Sequence, residues 1–222
     1  MSISENLRNL QQQVPSNVKI IAVSKTQPVD IIMELYNAGH RLFGENKVQE
    51  LLLKQSPLPH DIEWHFMGHL QRNKVRYIIP FISMIQSIDS FRLLQEVNKE
   101  AQKISRIVPC LLQFHIASEE TKYGLDWNEA VEIFESPDYT TLQSIQLCGV
   151  MGMATLTNDP SILATEFRNL TSIFARIKEN YFYGDPAFSE ISMGMSGDYQ
   201  QAIKMGSTII RVGTLIFGER NQ

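Results

Sequence analysis

The chain has 222 residues, 43% of them apolar and 20% charged, enough for a substantial core. Its 20 basic and 24 acidic side chains leave a net charge of −4 with both signs interspersed, which argues against nucleic acid or an anionic membrane surface as a partner. No basic segment leads into an apolar one at the start, no run suffices to span a bilayer, and Cys110 and Cys148 are too few for a disulfide framework; a soluble cytoplasmic protein with reduced core thiols is expected.

A helix over residues 5–13 precedes a regular alternation of short β-rich runs with longer amphipathic ones. The first strand, 18–23, stops at Ser24-Lys25-Thr26, and Pro28 opens a helix in which Ile31, Ile32, Leu35 and Tyr36 recur at helical spacing until Gly39. Strands follow over 40–43, 62–67, 84–86, 107–116 and 142–151, then one ending over 190–193, and an eighth over 208–212. Helices fall between them at 46–54, 70–78, from Asp89-Ser90 to about 104, 127–134, 161–179 and 198–205. Strict alternation implies parallel strands with right-handed crossovers. Eight repeats predict a single α/β domain over 1–222, a compact (β/α)8 TIM-type barrel with an additional N-terminal helix. The competing open doubly wound sheet is disfavoured, because no Gly-x-Gly-x-x-Gly follows the first strand.

Lys25 lies where a barrel keeps its chemistry, at the C-terminal end of a strand. A lysine desolvated there is a nucleophilic amine able to form an imine, although alone it also reads as a surface lysine at a strand end. Two later loops change the balance. Ser192-Met193-Gly194-Met195-Ser196-Gly197-Asp198 follows the seventh strand, and Arg211-Val212-Gly213-Thr214 ends the eighth. Glycines there let backbone N–H groups approach an anion, Ser196 and Thr214 add hydroxyls, and barrels often seat a phosphate between these loops. A simpler reading makes Ser196 a helix cap and the glycines turn residues. In a closed barrel the loops and Lys25 are neighbours, which suits an aldehyde bearing a phosphate: pyridoxal 5′-phosphate (PLP) or a sugar phosphate.

At this point the motifs themselves are informative. Residues 22–26 (Ala-Val-Ser-Lys-Thr), 43–50 (Phe-Gly-Glu-Asn-Lys-Val-Gln-Glu), 64–74, 192–196 and 211–218 resemble, in order, those of the pyridoxal phosphate homeostasis proteins, the YggS/PROSC-like group. The resemblance runs from about residue 20 to residue 219. It implies a fold like the N-terminal barrel of alanine racemase, with PLP held as a Schiff base on Lys25. It further implies that Ser196, Gly213 and Thr214 hold the phosphate, that Arg211 points at the pyridine nitrogen, and that Asn46 lies beside the ring. Arginine stays protonated, so it cannot readily protonate that nitrogen, and a neutral ring is a poorer electron sink. Arg211 also reads as one half of an ion pair at the strand end. One departure stands out: the family usually has asparagine where this chain has His115, although Lys122 and Gly124 fit.

His65 and His69 are four apart, but they straddle a strand end and Gly68 and show no third ligand, so packing is expected rather than a metal. Met151, Met153, Met193 and Met195 read as packing at the barrel mouth, and Ser118-Glu119-Glu120 as a solvated loop. Racemisation needs a proton-transfer group on each face of the substrate. The chain runs only about ten residues past its eighth strand, so the second domain of alanine racemase is not expected. These features, with the resemblance, favour a PLP carrier or buffer supplying apo-enzymes, as a monomer or weak dimer. A low-activity amino-acid racemase and a Schiff-base aldolase acting on a sugar phosphate remain the rivals.

Overall fold

In the computed structural model, which describes residues 2–118 and 123–219, eight parallel strands close on themselves in sequence order. The strands are β1 (Lys19–Val23), β2 (Leu42–Glu45), β3 (Glu63–Phe66), β4 (Met84–Ile88), β5 (Val108–Phe114), β6 (Ile145–Gly152), β7 (Glu190–Ser192) and β8 (Ile209–Val212). Around them run α1 (Ile3–Gln13), α2 (Val29–Asn37), α3 (Val48–Gln55), α4 (Val75–Ile78), α5 (Phe91–Gln102), α6 (Trp127–Glu135), α7 (Pro160–Tyr181), α8 (Tyr199–Lys204) and α9 (Thr214–Phe217). The expected TIM-type barrel with an extra N-terminal helix is therefore the observed fold. Ser2 and Glu5 form a capping box on α1, whose Leu7 and Leu10 are buried. Asn6 Nδ2 donates to the Ile216 carbonyl of α9, tying the ends of the chain together.

Closure depends on β1 meeting β8, with Ile21 beside Arg211 and Ala22 beside Val212. Strand residues alternate between an outer core under the helices and a lumen filled by Ile21, Val23, Met67, Met84, Leu111, Cys148, Met151 and Ile209. Both cysteines are free and buried. Among the described residues, no helix is long and apolar enough to cross a membrane. Glu119, Glu120 and Lys122 lie outside the described residues.

Element boundaries differ from the sequence reading in three informative places. The second strand runs two residues further along, through Gly44 and Glu45, because His40 turns edge-on to Phe43 (centroids 5.3 Å apart) before the strand begins. The expected 70–78 helix is a 3₁₀ turn, Arg72–Lys74, followed by the single turn of α4. A 3₁₀ turn over Pro137–Thr141, absent from the sequence reading, delays β6 to Ile145.

The β5–β6 register slips between Cys110 and Leu111, and Gly149 sits across from the slip. Its φ is +151°, and a Cβ there would stand 1.8 Å from the Glu190 carbonyl oxygen on β7. Backbone cannot yield as a flexible side chain would, so Gly149→Ala should destabilise the barrel by about 2–4 kcal/mol. Chemical denaturation measures this, and an unchanged unfolding midpoint would show that the β6–β7 seam has room to spare.

Candidate cofactor site at the barrel mouth

The C-terminal strand ends surround a cavity of about 360 Å³, within the usual range for small-molecule sites, about 300–1,000 Å³. Lys25, Asn46, Ser196, Arg211, Gly213 and Thr214 all line it. These six residues come from the ends of β1, β2, β7 and β8, which are distant in sequence and converge only because the sheet closes.

Lys25 is half-buried, two residues past β1. Across the β1–β8 seam, a Cβ on Gly213 would lie 3.3 Å from the Val23 carbonyl oxygen, so glycine there allows the two loops to approach closely. Gly213 N–H donates to Ser196 Oγ at 3.3 Å, joining the loops after β7 and β8. Thr214 is exposed to the cavity at the start of α9. Met195 N–H donates to Asp198 Oδ1, which occupies that carboxylate with the turn of its own loop. The hydroxyls of Ser196 and Thr214 thus share one wall of the cavity, where they can donate to an anion, while the Gly213 and Met195 N–H groups hold the loops in shape.

Arg211 is buried, and its charge is anchored from below. One terminal nitrogen donates to Ser192 Oγ at 2.6 Å and the other to the Gly152 carbonyl at 2.9 Å. Ser192 Oγ donates onward to Gln86 Oε1 at 2.7 Å, and Gln86 Nε2 lies 2.8 Å from His65 Nδ1. Arg211 and Ser192 donate in the same direction, so Gln86 presents its amide N–H₂ and His65 accepts on an unprotonated Nδ1. Burial, helped by the charge of Lys19, lowers the His65 pKa to about 3 and keeps the ring neutral. Burial lowers Arg211 to about 10, against the supporting charge of Asp198, and it remains a cation at neutral pH. Four strands thereby contribute to a polar line through the lumen that ends at the cavity floor.

Asn46 Oδ1 is buried without a hydrogen-bond partner among the described residues. The backbone around it is fixed by Gly68, where a Cβ would stand 2.1 Å from the Asn46 carbonyl oxygen. A buried acceptor left open beside a ligand cavity is costly unless a ligand or water completes it.

The sequence reading missed the β6–α7 loop. Thr155, Leu156, Thr157 and Asn158 line the cavity, and buried Glu166 on α7 holds their loop by accepting from Thr155 N–H and Thr155 Oγ at 2.7 Å each. Glu166 Oε1 also accepts from Ser118 N–H at 3.2 Å, so Ser118 is tethered and not merely solvated. Only the run of hydroxyl and amide side chains before Pro160 hinted at this loop. Of the methionines, Met153 and Met195 face the cavity while Met151 and Met193 are fully buried. His69 pairs with Asp89 at 2.9 Å and stacks on Tyr123, 4.1 Å between centroids, away from His65. Among the described residues no three potential ligands gather for a metal ion. His115 lies after β5 and its N–H donates to the Leu125 carbonyl.

Behind Lys25, on the helix side of β1 and β2, lies a buried charged cluster. Lys54 Nζ donates to Glu45 Oε1 and to the Ser24 carbonyl, both at 2.7 Å, and Ser24 Oγ donates to the same Glu45 oxygen at 2.7 Å. Glu50 Oε1 accepts from Thr26 N–H at 2.9 Å. Thr26 has a φ of +67°, a left-handed conformation that costs a β-branched residue of order 1–3 kcal/mol. Burial lifts the Glu45 pKa to about 7, against Lys54 and Ser24, while Glu50 is lowered by Thr26 N–H, Glu45 and Lys54 despite its own partial burial. Among the described residues Glu45 Oε2 has no hydrogen-bond partner. The two carboxyls interact, raising Glu45 and lowering Glu50.

The alanine racemase N-terminal domain profile matches residues 1–221. A pyridoxal phosphate homeostasis protein of Aquifex aeolicus is 38% identical over 204 residues, covering 91% of this chain and 87% of that one. The structure of PipY from Synechococcus elongatus with PLP bound superposes with a TM-score of 0.86 at 35% identity, over 98% of this chain and 100% of PipY. Alanine racemase of Clostridium difficile shares the fold, with a TM-score of 0.78 at 13% identity over 100% of this chain and 56% of that one.

The Glu45 carboxyl has an ordinary value of 4.5 and a folded value of about 7, so between these the folded chain binds more protons than the unfolded one. The stability this supplies is complete below pH 4.5 and is lost as pH rises through 7. Unfolding free energy should therefore fall more steeply between about pH 5 and pH 8 in the wild type than in Glu45→Gln, which mimics the protonated group. Parallel pH profiles from denaturant titrations would show that Glu45 does not titrate there.

Proposed function

This chain belongs to the pyridoxal phosphate homeostasis protein family, within the alanine racemase N-terminal domain group, and from that footing we propose that it carries and buffers PLP, held as a Schiff base on Lys25. The carrying observation is convergence: an amine, a two-loop anion wall, a buried cation and an open amide acceptor meet in one cavity. PLP supplies, when bound, a reactive aldehyde and a ring able to take up electrons.

Lys25 provides the amine that captures the aldehyde. Ser196 and Thr214 offer their hydroxyls to the phosphate, Gly213 orients the Ser196 oxygen and lets the two loops approach, and Asn46 lies beside the ring. Arg211 faces the pyridine nitrogen with a guanidinium that its partners Ser192 and Gly152 fix in place. A permanent cation has no proton to give readily, so the ring stays neutral and its electron-withdrawing power is restrained. Proton transfer on two faces of a substrate needs two groups near neutrality in pKa. The titratable side chains among the described cavity residues are Lys25, Asp198 and Arg211, with Asp198 bonded to Met195 N–H. This set suits storage and exchange better than racemisation. Apo-forms of PLP-dependent enzymes are the recipients, and the chain acts as a monomer or weak dimer.

The visible spectrum tests the reading. Wild-type chain with added PLP should show the yellow band of a lysine-bound aldehyde, and Lys25→Ala should lack it. With L- and D-alanine in heavy water, deuterium should not enter the Cα position at enzymatic rates. A band that survives in Lys25→Ala would remove the anchor, and rapid exchange would make the protein a racemase.

A further inference from the structure

The cluster of Glu45, Glu50 and Lys54 does not line the cavity, and only Glu50 reaches solvent in part. Glu45 is fully buried and Lys54 only 6% exposed. A buried ion pair is a weak source of stability, because desolvating the charges offsets their attraction. What the cluster does do is grip the chain on both sides of one residue. On the N-terminal side, Lys54 Nζ holds the Ser24 carbonyl and Glu45 holds the Ser24 hydroxyl. On the C-terminal side, Glu50 holds the Thr26 N–H and so secures a left-handed backbone that Thr26 would not adopt unaided. The residue between is Lys25. Thr26 Oγ completes the frame by donating to the Lys25 carbonyl at 2.5 Å.

We propose that Glu50, with Glu45 and Lys54, is the positioning device for Lys25: it fixes the peptides flanking the lysine, and so sets the reach of its amine toward a bound aldehyde. The inference rests on Lys25 being the anchor. In the step it serves, the unprotonated Lys25 nitrogen forms a C=N bond to the aldehyde carbon, and the carbonyl oxygen leaves as water with both amine hydrogens. That step needs the nitrogen placed within bonding reach of the carbon, whereas binding of the phosphate and ring does not. The positioning residues therefore affect covalent capture and spare non-covalent binding.

Two probes separate these contributions on the full chain. PLP carries the aldehyde; pyridoxine 5′-phosphate keeps the ring and phosphate but has an alcohol in its place. Glu50→Ala removes the acceptor from Thr26 N–H, and should weaken PLP binding about tenfold, as loss of one charge-assisted hydrogen bond does. Binding of pyridoxine 5′-phosphate should stay within about twofold, which also certifies the fold. Glu50→Gln keeps an oxygen for Thr26 N–H and should restore PLP binding. Equal weakening of both probes, or weakening of neither, overturns the positioning role. Lys25→Ala, run alongside, should lose all preference for PLP over the alcohol. If it keeps that preference, the anchor assignment fails and the positioning role with it; if Lys25→Ala loses it while Glu50→Ala does not, the positioning role alone fails.

Discussion

The pairing of β1 with β8 is the contact on which the site depends. Without it, Lys25 and the Gly213 loop would stand at opposite edges of an open sheet. With Ile21 beside Arg211 and Ala22 beside Val212, the residues that follow each strand are brought face to face. Gly213 is part of the same constraint, since any side chain there would press on the Val23 carbonyl. The N-terminal helix reinforces the seam from outside through Asn6 and the carbonyl of Ile216.

A second constraint runs through the barrel. Lumens of this size are filled with side chains, and most of this one is apolar. The polar line from His65 through Gln86 and Ser192 to Arg211 would be expensive if any link were unsatisfied. It closes because a neutral histidine ends it at one side and a guanidinium begins it at the other. Its donors point one way, so the charge stays at the cavity end. The arginine is thus fixed through side chains on β7, β4 and β3 and a backbone carbonyl on β6.

Much of this was legible in the sequence because it depends on strand ends. The alternation of short and long apolar runs gave the barrel, and the barrel made neighbours of residues 25, 46, 196 and 211–214. What escaped the reading depends on side chains finding each other across elements. Lys54 looks like an ordinary surface lysine in the last turn of a helix, yet its partner is Glu45, nine residues earlier on a strand. Ser192 and Gln86 carry no signal of their bond, being 106 residues apart. Thr155 to Asn158 read as plain loop, because the feature that holds them is one carboxylate, Glu166, in the middle of a long helix. His40 pulled the second strand out of place by looking like its first residue while belonging to the turn before it.

The bond between Gly213 N–H and Ser196 Oγ has a bearing on exchange. A hydroxyl oxygen accepts through its lone pairs and still has its own hydrogen to give. Ser196 can therefore hand that hydrogen to an arriving anion while Gly213 stays attached, and take it back on departure. Among the described residues, the loops after β7 and β8 are already joined through this bond. Loops joined beforehand leave less ordering to be done when an anion arrives. On the proposed reading, residence time then falls to the reversible chemistry at Lys25, which water alone can undo.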